Sequence, residues 1–320
     1  MQLRLLMPLL IAFAAAPAAT QETATPAAAP GAPAAADDAN TLALGMVADR
    51  MTVPVSINGS APQPFIIDTG AERSVVSRQL AGNLRLSPGP QITLTTMTGS
   101  TRVPTVVVPS LSMGPVRDQQ AFNAPALEAT HMGAHGLVGI EQLRTHMVSI
   151  DFDKRRMAVR PSRRAGGKRS AIPVGADEIV ITAKNRFGQL IVTEASFEGA
   201  KVTVVLDTGS QISIGNMALQ RKMRSARLKG PIVMTSVTGE KLTVNYHIAD
   251  RVQIGGVALR GVPVAFADIP PFEHFGLSDE PALMLGMDAL HAFRRVEIDF
   301  PDRKVRFLLP RQSGVASRLG

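Results

Sequence analysis

The chain has 320 residues, is 45% hydrophobic and carries a formal net charge of +8. That length suffices for one large domain or two ordinary domains with a buried core. The absence of cysteine excludes disulfides and an acylated-cysteine anchor, and one tyrosine with no tryptophan gives none of the interleaved aromatics that favour nucleic-acid binding. We therefore interpret the basic charge as solvated surface and linker, with no nucleic-acid partner. Weak attraction to anionic envelope surfaces stays open.

The N-terminal segment has the pattern of an export signal. An apolar run of about a dozen residues follows Arg4 and gives way to small residues, mostly alanine. Such a run is too short to span a bilayer comfortably, and no polar face accompanies it, which disfavours an amphipathic anchor. We expect residues 1–20 to be a signal peptide cleaved near Ala18–Gln21. The mature protein would then be periplasmic or secreted, without stable membrane insertion.

Residues 21–40 are mostly alanine and proline with a few acidic and polar residues. A segment of this composition buries too little apolar surface to offset the entropy lost on ordering. We predict a disordered tether here.

The remainder of the chain contains an internal repeat. Five landmarks recur in the same order, 139 to 148 residues apart. They are the Asp-Thr-Gly triplets at Asp68 and Asp207, the Thr-Gly pairs ending at Gly99 and Gly239, the turn glycines Gly114 and Gly255, the glycines Gly139 and Gly286, and the Ile-Asp-Phe triplets at Ile150 and Ile298. One or two such matches occur by chance in a Val- and Gly-rich protein, but an ordered series indicates two homologous lobes.

The repeat sets the expected domain boundaries. We call residues 41–160 lobe 1 and residues 176–310 lobe 2. Between them, residues 161–175 are basic and rich in Gly, Ser and Pro, as expected of an exposed linker. Residues 311–320 form a tail.

Each lobe is predicted to be mostly β. Short runs of Val, Ile and Thr alternate with polar residues and end at Gly or Pro turns. Helical spacing of Leu and Met predicts one short helix just before Ile150 and one before Ile298. A second short helix is predicted after each Asp-Thr-Gly, around Ser77–Ala81 and Asn216–Ala226.

Either Asp-Thr-Gly triplet alone would be interpreted as a turn capped by an acidic residue. Two copies in homologous lobes instead suggest one shared site. Lobes packed about a pseudo-two-fold axis would bring the carboxyl groups of Asp68 and Asp207 face to face. Carboxyl groups in contact share one proton, so that one serves as a general base toward water while the other polarises a carbonyl.

These motifs identify a resemblance to a known family. Each triplet follows apolar residues and precedes Ala or Ser, and each lobe later carries an apolar-apolar-Gly motif, at Leu137–Gly139 and Met284–Gly286. In these features the chain resembles the retropepsin-like bacterial aspartic proteases. The resemblance covers nearly all of residues 41–310. It implies two retropepsin-like β-barrel lobes related by pseudo-two-fold symmetry.

The resemblance also implies roles for particular residues. The catalytic pair would be Asp68 and Asp207. The residues implied to support this pair are Thr69, Gly70, Thr208 and Gly209. Those implied to form two substrate-binding flaps are Thr98, Gly99, Ser100, Thr238, Gly239 and Glu240.

The chain departs from relatives of that kind in two ways. Pepsin-type enzymes carry a flap tyrosine in the first lobe, whereas the sole tyrosine here is Tyr246, in lobe 2. Viral retropepsins are homodimers of one lobe, whereas here both lobes lie in one chain. We therefore expect a monomer with an internal pseudo-dimer, and a dimer of whole chains stays open.

Two functions remain after the sequence is considered. The first is an aspartic endopeptidase that acts on extended protein or peptide segments and needs no cofactor. The alternative is an inactive retropepsin-like module of the cell envelope that binds peptides, although such a module needs neither carboxylate. The two carboxyl groups are expected to titrate unequally, because Ala71 follows one triplet and Ser210 the other.

His131 and His135 have the four-residue spacing of a metal pair. The glutamate of a zinc-protease motif is missing, the intervening Gly133 disfavours a helix, and lobe 2 has no counterpart. We predict loop histidines and no metal site.

Overall fold

The computed structural model describes residues 41–43, 45–47, 50–114, 116–162, 177–186, 188–223 and 228–309. The predicted signal peptide, tether and tail lie outside these residues, as does nearly all of the predicted linker. Among the described helices, none is both long enough and apolar enough to cross a membrane.

Lobe 1 is built mainly from strands. These are β1 (Thr41–Ala43), β2 (Gly45–Val47), β3 (Arg50–Ile57), β4 (Gln63–Ile67), β5 (Val75–Ser77), β6 (Pro88–Thr96), β7 (Gly99–Val108), β8 (Leu111–Met113), β9 (Val116–Asp118), β10 (Phe122–Leu127), β11 (Gly136–Val138), β12 (His146–Asp151) and β13 (Arg156–Pro161). Its short helices are α1 (Arg78–Asn83), α2 (Ala129–Met132) and α3 (Ile140–Leu143).

Lobe 2 repeats this succession of elements. Its strands are β14 (Glu178–Thr182), β15 (Lys184–Arg186), β16 (Gln189–Phe197), β17 (Ala200–Leu206), β18 (Ser213–Gly215), β19 (Lys229–Thr235), β20 (Lys241–Ala249), β21 (Val252–Ile254), β22 (Val257–Leu259), β23 (Val262–Phe266), β24 (Ala282–Leu285), β25 (Arg295–Asp299) and β26 (Lys304–Leu308). Its helices are α4 (Met217–Gln220), α5 (Pro270–His274) and α6 (Met287–Leu290).

The two lobes also share one sheet topology. The strand order in lobe 1 is β6-β7-β10-β5-β11-β4-β3-β8-β9, with β2 beside β3. In lobe 2 it is β19-β20-β23-β18-β24-β17-β16-β21-β22, with β15 beside β16. Every strand of the second order is the sequence counterpart of the strand at the same place in the first. The prediction of a mostly β protein with two similar lobes is confirmed.

A third sheet joins the lobes. Its order is β1-β13-β12-β25-β26-β14, and the central pair, β12 and β25, comes from different lobes. The pair is antiparallel, with Ser149 opposite Glu297. Its inward side chains, among them Val148 and Ile298, are buried in a core shared by both lobes. The backbone ladder between β12 and β25 therefore ties the lobes together.

The burial pattern explains why these segments become strands. Along β3 the residues Met51, Val53, Val55 and Ile57 are buried, whereas Pro54 is exposed and Ser56 half-buried between the last three, as expected for a sheet with one face on the core. The last three residues of β4 are all buried instead, because this central strand is covered on both faces. Each large apolar side chain buried in this way contributes about 1.5–3 kcal/mol.

The turns before the two Asp-Thr-Gly triplets have the same geometry. Asn58 and Gly59 join β3 to β4 with φ values of 49° and 73°, and Glu198 and Gly199 join β16 to β17 with 48° and 86°. Two central residues with positive φ form the hairpin turn that suits the right-handed twist of the strands. The glycines accept this geometry without steric cost.

The predicted helices are present but short. Ser77 caps α1 and Asn216 caps α4, each through a side-chain oxygen that accepts a backbone N–H three residues later. α4 ends at Gln220, before the predicted limit of Ala226. α2 and α5 were not predicted. α5 begins with two prolines, and α2 ends at Met132, followed by the C-cap Gly133, whose φ is 76°.

Candidate active site

The two Asp-Thr-Gly triplets lie at equivalent strand ends. Asp68 follows β4 directly and Asp207 follows β17 directly. The backbone N–H of each donates to the strand that runs parallel to its own, Asp68 to the Val138 carbonyl and Asp207 to the Leu285 carbonyl, both at 3.0 Å. The apolar-apolar-Gly motifs of the sequence are therefore the neighbours that hold each aspartate in place.

The two carboxyl groups meet between the lobes. A side-chain hydrogen bond connects Asp207 with Asp68. Each carboxyl also lies over the glycine of the opposite triplet. A Cβ on Gly70 would come within 2.7 Å of Asp207 Oδ1, and a Cβ on Gly209 would overlap the Asp68 carboxyl group. Glycine at both positions is what lets the two acids approach each other.

The two threonines of the triplets interlock across the lobes. The Thr69 N–H donates to Thr208 Oγ1 and the Thr208 N–H donates to Thr69 Oγ1, both at 3.1 Å. Each hydroxyl also donates to the strand before the opposite aspartate, Thr69 to the Leu206 carbonyl at 2.9 Å and Thr208 to the Ile67 carbonyl at 2.8 Å. Both side chains are buried. These four bonds fix the separation of the two aspartates.

Backbone amides hold each carboxylate. Asp68 Oδ1 accepts hydrogen bonds from the N–H groups of Gly70 and Ala71, both at 2.9 Å. Asp207 Oδ1 accepts from Gly209 at 3.0 Å and Ser210 at 3.2 Å. The Ser210 hydroxyl donates to the Ile212 carbonyl at 2.8 Å. Its effect on Asp207 therefore comes through the backbone N–H.

The two acids differ in burial and in protonation. Asp207 is only 8% exposed, whereas Asp68 is half-buried. Burial, followed by the charge of Asp68, raises the pKa of Asp207 to about 8. Amide hydrogen bonds from Gly209 and Ser210 oppose this rise without cancelling it. At neutral pH the pair is therefore expected to share one proton, and its deeper burial favours Asp207 as the holder.

Two hairpins carry the residues predicted to form flaps. We call β6–β7 flap 1 (residues 88–108) and β19–β20 flap 2 (residues 229–249). At their tips Thr96 lies opposite Gly99, and the N–H of Ser236 donates to the Glu240 carbonyl at 2.8 Å. The side chains of Thr98 and Glu240 meet at 3.5 Å, so the tips of the two flaps touch.

Each flap tip also packs on the opposite lobe. Met97 of flap 1 contacts an apolar cluster of lobe 2 that includes Phe272 and Met284. Val237 of flap 2 contacts a cluster of lobe 1 that includes Leu137. The contacts are reciprocal, so each hairpin tip packs on the lobe opposite its own.

A family model described as aspartyl protease matches the chain twice, over residues 53–141 and 193–289. The two matches together cover more than half of the chain, one in each lobe. This chain belongs to the aspartyl protease family. A search of curated proteins found no significant match to it.

The structure groups the predicted site residues in two places. Asp68, Asp207 and the four residues predicted to support them form one cluster at the lobe interface. The six predicted flap residues lie at the two hairpin tips. Gly99 there has a φ of 141°, and Thr95 Oγ1 lies 2.9 Å from Ser100 Oγ.

Sequence reasoning missed a second layer of polar residues behind the aspartates. In lobe 1 the Ser74 N–H donates to Glu141 Oε1 at 2.7 Å, and its hydroxyl accepts from the Gly139 N–H at 3.1 Å. In lobe 2 Ser213 makes the same contacts with Asp288 and Gly286 and also donates its hydroxyl to Asp288 at 2.7 Å. Burial raises the pKa of both acids. The missed signal was a serine six residues after each aspartate.

Two histidines reach across the lobes, and neither was predicted to do so. The ring of His131 lies against Gly239 of flap 2, where φ is +97° and a Cβ would overlap the ring. His274 Nε2 lies 2.6 Å from Glu72 Oε1, four residues after Asp68. Within the described residues, no group of three or more His, Cys, Asp or Glu side chains is arranged to hold a metal ion.

Proposed function

We propose that this aspartyl protease is an active endopeptidase that hydrolyses peptide bonds in extended protein or peptide segments. The observation that carries the proposal is the close approach of the Asp68 and Asp207 carboxyl groups, each lying against the glycine of the opposite triplet, with Asp207 the more buried of the two. A module that only bound peptides would have no use for two carboxyl groups brought together at the cost of their mutual repulsion.

The geometry supports unequal roles for the two acids. Ionised Asp68 accepts a proton from water as the water oxygen attacks the carbonyl carbon of the scissile bond. Protonated Asp207 donates its proton to the carbonyl oxygen, so a neutral tetrahedral diol forms and Asp207 becomes ionised. Asp207 then takes back a diol proton while Asp68 passes its proton to the leaving nitrogen. The C–N bond breaks, and each acid regains its starting protonation state.

The hairpin flaps support an extended substrate. A peptide in strand conformation presents backbone groups to both sides, and two flaps closing from opposite lobes would meet it along its length. Closure would also exclude water from the aspartates and strengthen their electrostatic effect. The apolar clusters behind the flap tips favour apolar side chains next to the scissile bond.

Cleavage of a peptide library tests the proposal. The wild-type chain is expected to cleave, and Asp68→Asn and Asp207→Asn are each expected to lose at least a thousand-fold in kcat, because either change removes the shared proton pair. Asp279→Asn is the matched control, since Asp279 is exposed in a loop. Cleavage that survives in either dyad variant would refute the mechanism. Peptide binding without any cleavage by the wild type would favour the binding module.

The cellular setting is proposed from the sequence alone. We propose export to the periplasm or the medium after removal of residues 1–20, and action as a single chain whose two lobes complete one site. Cell fractionation with N-terminal sequencing of the mature protein tests the first part. Sedimentation of the mature protein tests the second, with the mass of one chain as the expected result.

A further inference from the structure

Gln189 connects lobe 2 to the loop that carries Asp68. It is the first residue of β16 and only 1% exposed. Its Nε2 donates to the Gly70 carbonyl of lobe 1 at 3.1 Å. The preceding Gly188 has a φ of +95°, and a Cβ there would lie 3.0 Å from Ile140 Cγ2. The start of β16 is thus packed closely against lobe 1.

The hydrogen bond from Gln189 acts on one particular peptide group. The Gly70 carbonyl and the Ala71 N–H belong to the same peptide unit, and that N–H donates to Asp68 Oδ1 at 2.9 Å. Since a peptide unit is planar, a bond that fixes the direction of the carbonyl also fixes the direction of the N–H. A donor on the carbonyl also polarises the unit and strengthens the bond that its N–H makes. Gln189 is therefore one peptide unit away from the Asp68 carboxylate.

Stability alone does not explain a glutamine at this place. Within the described part of the chain, Gln189 Oε1 is buried and has no hydrogen-bond partner. A buried acceptor without a partner is unfavourable for folding, and a leucine of similar size would avoid that cost. The side chain thus combines one well-placed donor with one unsatisfied acceptor. This is the pattern expected where a residue is retained for its effect on a site.

We propose that Gln189 is a positioning residue that orients the peptide group between Gly70 and Ala71 and thereby stabilises the ionised form of Asp68. The proposal deepens the proposed endopeptidase function, and its kinetic consequences rest on that function. In this proposal a residue of lobe 2 stabilises Asp68, the general base in lobe 1. The division of labour between the two aspartates then depends on a contact that forms only when the lobes are assembled.

Replacing Gln189 with leucine distinguishes a positioning role from a purely structural role. Gln189→Leu removes the unsatisfied Oε1 but also removes the donor to the Gly70 carbonyl, so it is expected to unfold near the wild-type temperature, yet to lose about ten-fold in kcat with KM unchanged. The acid limb of its pH–rate profile is expected to move to higher pH, because the ionised base is less stabilised. Gln253→Leu is the matched control, since Gln253 donates to the Gly255 carbonyl at 3.2 Å within lobe 2. A wild-type kcat and pH profile in Gln189→Leu would overturn the proposal, as would parallel losses of stability and activity without a change of profile.

Gln189→Glu provides a second, isosteric test. When protonated, the introduced carboxyl can donate to the Gly70 carbonyl as the amide does, and when ionised it cannot. Activity near the wild-type level at low pH, with a decline that begins at lower pH than in the wild type, is expected. A profile parallel to that of the wild type at all pH values would contradict the proposed role of the donor.

A titration tests the same contact without any cleavage. In the Asp207→Asn protein Asp68 titrates without its coupled partner, and carbon-13 NMR of its carboxyl group gives the midpoint. Adding Gln189→Leu is expected to raise that midpoint by roughly half a pH unit or more, whereas adding Gln253→Leu leaves it unchanged. An unchanged midpoint in the Gln189→Leu protein overturns the inference even if the wild type is active. A shifted midpoint supports it even if no peptide is cleaved, in which case only the proposed function fails.

Discussion

The backbone N–H groups of Thr69 and Thr208 each donate a hydrogen bond to the other threonine's hydroxyl, across the boundary between the lobes. Both bonds are 3.1 Å long. The contact is reciprocal, so a change in either threonine removes bonds from both triplets. It also lies immediately beside the aspartates in sequence, which makes the alignment of the two carboxyl groups depend on the interlock.

Thr69→Val is expected to destabilise the protein by about 2–3 kcal/mol. The valine keeps the shape of the side chain but leaves the Thr208 N–H and the Leu206 carbonyl buried without their partner. Thr69→Ser keeps the hydroxyl and is expected to lose less than half as much. Chemical denaturation measures both, and Thr93→Val on the exposed side of flap 1 serves as the control. Equal stability of the valine and serine variants would contradict the role of the hydroxyl.

Asp207 makes stability fall as pH rises through the neutral range. Its pKa is raised to about 8 in the folded protein, against 3.8 for an unperturbed aspartate, so the folded state holds a proton that the unfolded state has released. The contribution is fully present below pH 3.8 and is lost as pH rises through about 8. Melting temperatures of the wild type are therefore expected to decline across this window more steeply than those of Asp207→Asn. Parallel curves would show that the raised pKa is wrong.

The alkaline limit of activity is expected to follow the titration of Asp207. The proposed mechanism needs protonated Asp207, so kcat/KM should decrease as pH rises through about 8. A pH–rate profile with a single substrate measures this limb. An alkaline limit below pH 6 would indicate that burial raises the pKa of Asp207 much less than the structure implies.

The sequence was sufficient to predict the paired triplets, because they repeat at fixed spacing and each residue type has a definite local cause. Asp68 ends a buried strand, and Gly70 lies where a side chain would collide with the other lobe. The short helix predicted around Ser77–Ala81 has an equally local cause, because the Ser77 side chain caps its first turn. At each of these positions the residue type alone indicates the local backbone geometry.

Beyond the paired triplets, contacts between the lobes could not be predicted in the same way. Gln189 and His131 are common residue types in unremarkable sequence contexts, and what they contact is set by how the lobes pack. The joining of β12 to β25 has the same origin, since either strand could have been an edge. Ser74 and Ser213, whose contacts lie within their own lobes, did leave a signal that sequence reasoning could have used, namely their equal spacing from the two aspartates.

Gly70→Ala is expected to lower kcat by roughly a hundred-fold. The added Cβ would lie 2.7 Å from Asp207 Oδ1, so one carboxyl must move away from the other, and displacements of this size at a reacting group have effects of that order. Gly82→Ala in α1 is the matched control, because no atom lies within 4 Å of its added Cβ. The control should keep full activity and gain about 0.5–1 kcal/mol in stability. Full activity in Gly70→Ala would show that the carboxyl groups do not need this close approach.

Flap 2 is expected to open more readily when its tip loses its contact with lobe 1. Val237 packs on the lobe 1 cluster that includes Leu137, whereas Val233 on the same hairpin is 60% exposed. Val237→Ala removes apolar contact worth about 1 kcal/mol from the closed state, so amide exchange in residues 229–249 should become about five-fold faster. Val233→Ala, the same chemical change on the same strand pair, should leave exchange unchanged. Hydrogen exchange measured by mass spectrometry distinguishes the two variants. Equal exchange rates in both would show that the packing of Val237 on lobe 1 does not hold flap 2 closed.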